Sequence, residues 1–206
     1  MAGKKKLPAL KRLIRKIEKV TPVRPATEEE LAALQELAGG KLPEEAVEFY
    51  SQYSFDGIVR IDEYIDLYGI NEIIRANTDA VPGFMVLPFG LLTVASWIDG
   101  DAICIDLNSV GEKFGYGGCY DTQVIRQCSH ELFCEGEEIT FYRKALGGLV
   151  RLPYTRENVV ALSPYVAHDF NYLLKHLRDR DLRYIDLTKT LDEYERKQLE
   201  KTAQEN

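Results

Sequence analysis

Two groups of carboxylates are the residues in this chain whose type and spacing come closest to a chemical site. The first is Asp56, Asp62, Glu63 and Asp66, with Tyr53, Tyr64 and Tyr68 close by. The second is Glu135, Glu137 and Glu138, in an expected loop after Cys134. Paired carboxylates hydrolyse glycosides, and clustered ones hold divalent cations. The spacing here fits neither a calcium loop nor a glycosidase template. Two readings remain, a solvated acidic face and an interaction surface. Tyrosine supplies large contact area at low entropic cost, and acids beside it select basic partners. On the second reading the contact residues are Asp56, Asp62, Glu63, Tyr64, Asp66 and Tyr68, followed by Glu135, Glu137 and Glu138.

Other chemistry lacks its template. The sequence has no P-loop, GxGxxG or GxSxG, and His130-Glu131 lacks the second histidine of HExxH. His168 and His176 lie eight residues apart, about two helical turns, too far to act as adjacent ligands. Cys119, Cys128, His130 and Cys134 have the composition of a zinc site, but no CxxC pair exists. The four cysteines are expected to be isolated buried thiols, with no stoichiometric zinc. No catalytic residue, metal or cofactor is expected, and the chain reads as non-enzymatic.

Charge narrows the partner. The 206 residues are 45 % hydrophobic and 29 % charged, ordinary for a soluble globular protein, and the net charge is −7. Residues 1–25 hold nine Lys or Arg (Lys4, Lys5, Lys6, Lys11, Arg12, Arg15, Lys16, Lys19, Arg24) against Glu18 alone, so +8, which leaves −15 for the rest. An acidic body disfavours nucleic acid, whose binding needs a positive surface, and favours a basic protein partner. The N-terminus has no apolar core of secretory type. The uncharged stretch Val81–Ile98 contains Pro82, Gly83, Pro88 and Gly90, and reads as buried strands and turns, not a membrane span. A cytoplasmic location without membrane insertion is expected.

These residues need elements to hold them. Leu10, Leu13, Ile14 and Ile17 recur at helical spacing in the basic arm, after Pro8. Such a helix either docks its apolar stripe on the acidic body or binds a membrane surface or partner. Thr27 and Glu30 form a capping box for a helix ending at Gly39-Gly40. Leu42-Pro43 restarts the chain with Pro43 at a first helical position, and Ser54-Phe55-Asp56-Gly57 reads as a turn. Strands are expected at Ile58–Ile61, Met85–Leu87, Leu91–Trp97, Ala102–Leu107 and within Tyr120–His130. A short helix lies over Ile70–Asn77, and Asp99-Gly100 and Gly115–Gly118 make turns. Ile139–Leu152 shows no clear pattern. A late helix is expected from Ser163-Pro164, with Val166, Phe170, Leu173, Leu174 and Leu177 buried. Leu187, Leu191, Tyr194 and Leu199 mark a last helix. Trp97 should be buried against the late helix near Phe170. Helices, then strands, then helices indicate an α+β fold, a twisted and mainly antiparallel sheet packed by N- and C-terminal helices. The expected organisation is a basic arm at 1–25, the α+β domain at 26–180 and a charged tail at 181–206.

Thr27 to Gly57 resembles the opening of the SUKH superfamily, the domain of a yeast cell-wall-synthesis regulator and of many bacterial immunity proteins. The residues that carry the resemblance are TEEELAALQELAGG, the LPEEAVEFYSQY restart and the turn closing at Gly57, where Phe55-Asp56-Gly57 stands in place of the common Asn-Gly. Trp97-Ile98-Asp99-Gly100-Asp101 followed by AICIDL resembles the central Gly-Asp hairpin. The strand ending at His130 and the helix VAHDFNYLLKHL also fall where members have equivalents, so the resemblance spans about residues 27–178. It implies an α+β fold and non-enzymatic binding, in bacterial members the neutralisation of toxin domains, often nucleases. A basic protein toxin domain is then the expected partner, and an acidic body suits it. A regulatory or scaffolding interaction domain and an enzyme with an unrecognised site are the other readings.

Overall fold

Leu91 to Trp97 is a run of seven residues that are all buried, which requires a strand covered on both faces. In the computed structural model, which describes residues 10–114, 118–134 and 136–205, this run is β3 (Leu91–Trp97) at the middle of a sheet. The sheet has six strands in the order β1 (Ile58–Arg60), β2 (Ile65–Tyr68), β3, β4 (Ala102–Asp106), β7 (Ile125–Cys128), β10 (Tyr165–Ala167), and every neighbouring pair is antiparallel. Two small hairpins, β5 (Lys113–Phe114) with β6 (Gly118–Cys119) and β8 (Glu138–Arg143) with β9 (Gly148–Pro153), lie outside it. Helices pack on the sheet, and the fold is α+β.

The alternation in β4 divides two cores. Ile103 and Ile105 join a first cluster with Leu13 and Ile17 of α1 (Lys11–Ile17), Leu34 of α2 (Glu28–Leu37), Phe49 and Tyr50 of α3 (Glu44–Tyr53) and Phe170, Leu173, Leu174 and Leu177 of α7 (Phe170–Asp179). Ala102 and Cys104 join a second, with Ile139 and Phe141 of β8, Val159 of α6 (Arg156–Ala161) and Leu191 and Tyr194 of α8 (Leu187–Glu205). The basic arm's apolar stripe is thus part of the first core. Leu13 and Ile17 are buried, while Arg12, Arg15 and Lys19 face solvent.

Local chemistry sets the boundaries. Thr27 Oγ1 accepts from the Glu30 N–H, and Glu30 Oε2 accepts from the Thr27 N–H at 2.8 Å, so the capping box is complete. Pro43 is the residue before α3 and not its first, a one-position difference. Gly69, at the end of β2, lies against the Phe55 carbonyl, where a Cβ would come within 1.9 Å of the oxygen. In α4 (Ile70–Thr78), buried Asn77 donates to the Thr93 carbonyl and accepts from its N–H, so its amide pairs with β3 where β2 has ended.

Several expectations are corrected. Met85–Leu87 is not a strand: α5 (Gly83–Val86) is followed by a 3-10 turn over Leu87–Phe89. Pro82 and Pro88 bracket the segment, and Pro88 has no N–H to give to a central ladder. Ser163-Pro164 does not open the late helix but leads into β10; Asp169 caps α7, accepting from the Tyr172 N–H at 2.8 Å. The Ser163 hydroxyl instead donates to the Val159 carbonyl at the end of α6. Ile139–Leu152 is mostly the β8–β9 hairpin, which buries Ile139 and Phe141 and exposes Thr140 and Tyr142. Cys104 and Cys128 are buried thiols, and burial pushes the Cys104 thiol up. Cys119 and Cys134 are exposed, because each sits on a hairpin or loop outside the main sheet. Trp97 is buried, at 5 % exposure, but its ring meets Tyr184 edge-on at 5.3 Å. Phe170 packs on Phe49 and Tyr50 instead. Among the described residues no helix is long and apolar enough to cross a membrane. Lys4, Lys5, Lys6 and Pro8 of the arm, Gly115–Gly117 of the expected turn, and Glu135 lie outside the described residues.

Candidate functional site

Glu63 and Tyr64 stand at the tip of the β1–β2 hairpin because Asp62 builds the turn beneath them. Its Oδ1 accepts from the backbone N–H groups of Tyr64 (2.8 Å) and Ile65 (3.0 Å). The Tyr64 carbonyl accepts from the Ile98 N–H at 2.8 Å, which fastens this tip to the neighbouring β3–β4 turn. Tyr64 is 60 % exposed and Ile98 55 %, with Glu63 and Asp99 exposed around them. Two adjacent turns therefore present an aromatic ring and an aliphatic side chain rimmed by carboxylates. Ile98 and Asp99 stand outside both carboxylate groups of the sequence; the signal for them is that hairpins next to each other in an antiparallel sheet end on the same side.

The other residues of the first carboxylate group are placed differently. Asp66 lies along β2 in a two-pronged pair with Arg60, Arg60 Nε to Oδ1 at 2.5 Å and Nη2 to Oδ2 at 3.0 Å. This contact raises the Arg60 pKa. Tyr68 is half-buried against the first core; burial raises its phenol. Tyr53 packs on Phe49. Asp56 is exposed near Arg24, at 3.4 Å, on the approach to β1. So Asp62 and Asp66 shape the hairpin, and Glu63 and Tyr64 are its free groups. Glu137 and Glu138 are exposed at the start of β8, where Glu138 faces Arg151 at 3.4 Å. They ride on the hairpin of the second core, while the Asp62–Tyr64 turn belongs to the main sheet. The structure does not join the two groups.

Beneath the turns lies Asp101, only 2 % exposed. Its Oδ1 accepts from the His130 N–H at 3.0 Å and lies 2.8 Å from His130 Nδ1; its Oδ2 accepts from Gln127 Nε2 at 2.9 Å and from the Tyr184 hydroxyl at 3.2 Å. The same Gln127 accepts from the Ile185 N–H and donates to its carbonyl. Asp101 and Gln127 thereby tie the β3–β4 turn to β7 and to the chain entering α8. Burial pushes the Tyr184 phenol up.

Beside the tip is a shallow cleft of about 610 Å³ lined by Lys16, Arg60, Asp62, Glu63, Tyr64 and Arg180. Its lining combines three cations with two carboxylates and a tyrosine. No group of three or more His, Cys, Asp or Glu that could hold a metal occurs among the described residues. His130 and His176 are each paired with one aspartate, and His168 lies 3.6 Å from Asp121. The arrangement suits contact with a surface of mixed charge.

Comparisons with known proteins bear on the chain as a whole. No curated protein and no solved structure matches it. A family model matches from just before the capping box of α2 to the first residue of β9, and so includes both turns. Because residues 25–148, more than half of the chain, match the SMI1 / KNR4 family (SUKH-1) model, this protein belongs to that family.

Proposed function

We propose that this protein is an immunity protein that neutralises a toxin domain by covering a basic surface with its acidic turn end. The family includes immunity proteins and SMI1/KNR4-like regulators, and is generally non-enzymatic. The observation that carries the proposal is the exposed pair Tyr64 and Ile98, held together by a backbone hydrogen bond and rimmed by Glu63 and Asp99. An apolar centre with a charged rim is the anatomy of a protein contact, and acidic rims speed encounter with basic partners. A nuclease domain is one such partner, because it presents a positive surface to phosphates. The remaining −15 of charge outside the arm adds long-range attraction.

The test is affinity capture from the native host, with Glu63→Lys combined with Tyr64→Ala as the comparison bait. Capture by the native protein of a chain with a basic toxin-like domain, lost with the variant, supports the reading. Capture of intracellular regulatory proteins by both baits alike overturns it in favour of a scaffolding role.

A further inference from the structure

Where the basic arm docks on the acidic body, the described residues form a strongly basic concavity. Between α1 and the end of α7 runs a groove of about 650 Å³; seven of its nine lining residues are Lys or Arg, and the other two are Leu13 and Leu177. None of Arg12, Lys16, Lys19 and Arg180 is in an ion pair with a described carboxylate, while the nearby Asp179 is taken by Arg178 through two contacts of 2.6 and 2.7 Å. Burial and then the neighbouring Arg180, Arg12 and Lys19 lower the Lys16 ammonium, with Asp62 opposing. Seven cationic side chains thus share the groove, with Asp179 bound to Arg178 and Asp62 acting on Lys16.

Arg180 adds an independent sign. It is the only non-glycine residue with positive φ among those described (φ 60°, ψ 43°), at the position after α7 where glycine is usual. An L-residue there costs energy that glycine would not. The chain keeps an arginine at that cost, and its side chain lines the groove.

The geometry points to this groove as the docking site for a carboxylate-rich segment of a protein partner. Three observations choose that occupant over other polyanions. The groove shares Lys16 and Arg180 with the cleft that holds Asp62 and Glu63, so a uniformly negative nucleic-acid backbone or bilayer would meet those carboxylates head on. The apolar stripe of α1 is spent in the first core, so the helix has no face to insert in lipid. Leu13 and Leu177 give the floor an aliphatic strip against which the stems of Glu side chains pack. A protein segment with acids at the groove and a basic residue toward Glu63 satisfies the whole surface. The inference does not depend on the toxin reading, since a regulatory partner would serve equally.

The test uses the full chain and a fluorescein-labelled oligoglutamate peptide. Saturable binding is expected, weakened about tenfold by Arg12→Glu with Lys16→Glu and weakened further as salt shortens the screening length from about 10 Å to about 3 Å. Lys201→Glu, on α8, should leave it unchanged. Arg180→Gly should weaken binding while the melting temperature holds or rises by about 2 °C, because the strained φ is relieved. That split separates a docking role from a structural one. No oligoglutamate binding, equal loss with Lys201→Glu, or tighter binding of phosphatidylserine vesicles or oligothymidylate would each overturn the inference. None of these outcomes bears on capture by the hairpin tip, so the two proposals fail separately.

Discussion

Strand β4 has a buried aspartate at each end, and the two are satisfied in opposite ways. Asp106, fully buried, faces two cations: Arg126 Nε at 2.6 Å and Arg156 Nη2 at 2.7 Å. Burial works against the Arg156 charge, but Asp106 and then Glu112 outweigh it and raise its pKa. Arg156 also donates to the Phe89 carbonyl and Arg126 to the Ser163 carbonyl, so one carboxylate pins β4, β7, α6 and the turn before β3. Asp101 is met by a glutamine, a tyrosine, a backbone N–H and one imidazole. The Asp106 end is closed by full charges. The Asp101 end is held by shorter-range polar bonds, and it is the end that carries the exposed Tyr64 and Ile98. The difference teaches that the end with the exposed turns is kept in shape by hydrogen bonds to one carboxylate, and the opposite end by a cluster of opposite charges.

The largest effect should come from breaking the closed end. Asp106→Asn leaves two arginines facing a neutral amide and is expected to destabilise by about 3–5 kcal/mol, the cost of orphaning one side of a buried ion pair. Urea unfolding measures it. A loss below about 1 kcal/mol would mean that the arginines find water or other partners, and the contrast between the ends would collapse.

The open end should respond less. In Asp101→Asn the new amide must set its NH2 against donors on one side, at an expected cost of about 1–3 kcal/mol. Trp97 reports the change locally, because its ring touches Tyr184, which donates to Asp101. Its emission should be that of a buried indole in the native protein and shift to the red in the variant. A native emission typical of water would instead remove Trp97 from the core and make it a contact residue.

These two ends were unequally legible in the sequence. The Asp-Gly turn, the alternation of β4 and the apolar run of β3 all lie within a few residues, so local pattern sufficed for the middle of the sheet. The capping box at Thr27 and Glu30 was readable for the same reason. The partners of Asp106 lie 20 and 50 residues away, and nothing local to Arg126 or Arg156 marks them as its counter-ions. Hairpin β8–β9 carried a period-two signal in Ile139, Thr140, Phe141 and Tyr142, yet β9 is only half-buried along one face, which blurs the contrast. Ser163-Pro164 misled because Ser-Pro suits a helix start as well as a strand entry; the true cap, Asp169, was hidden by the apolar Val166 and Ala167 before it. Of the candidate site, the hairpin tip was visible as a cluster of acids and tyrosines. Which of them are structural and which are free required the turn geometry.

Between the buried carboxylates and the exposed tip lies a pair of intermediate worth. Arg24 donates to both oxygens of Glu30 at 2.7 and 2.6 Å, and this contact, against desolvation, holds the Glu30 carboxyl at about 2. A folded-state pKa below the ordinary value means that the contribution is full above about pH 4.5 and is lost as pH falls toward 2. Arg24 is partly exposed, so solvent screening keeps the contribution to about 1 kcal/mol or less. Glu30→Gln should flatten the acid limb of the stability profile in that window. An unchanged profile would show that the acid sensitivity arises elsewhere.

The smallest stability effect, and the sharpest functional one, belongs to the tip. Reversing Asp62, Glu63 and Asp66 together is a poor probe, because Asp62 holds the turn and Asp66 holds Arg60. Glu63→Lys avoids both. Its carboxylate is exposed and takes part in no bond that shapes the hairpin, so stability should change by about 0.5 kcal/mol or less. Against a basic partner the same change reverses a rim charge, which should lower the association rate and reduce its dependence on salt. Tyr64→Ala should likewise leave folding intact, since the ring is mostly in solvent, but it should speed dissociation by about 2 kcal/mol in free energy if the ring fills a pocket at the centre of the contact. Stopped-flow association and dissociation traces on the captured partner separate the two effects. If both variants bind with native rates, the contact lies away from this end of the sheet, and Glu137 and Glu138 on the β8 hairpin become the surface to examine.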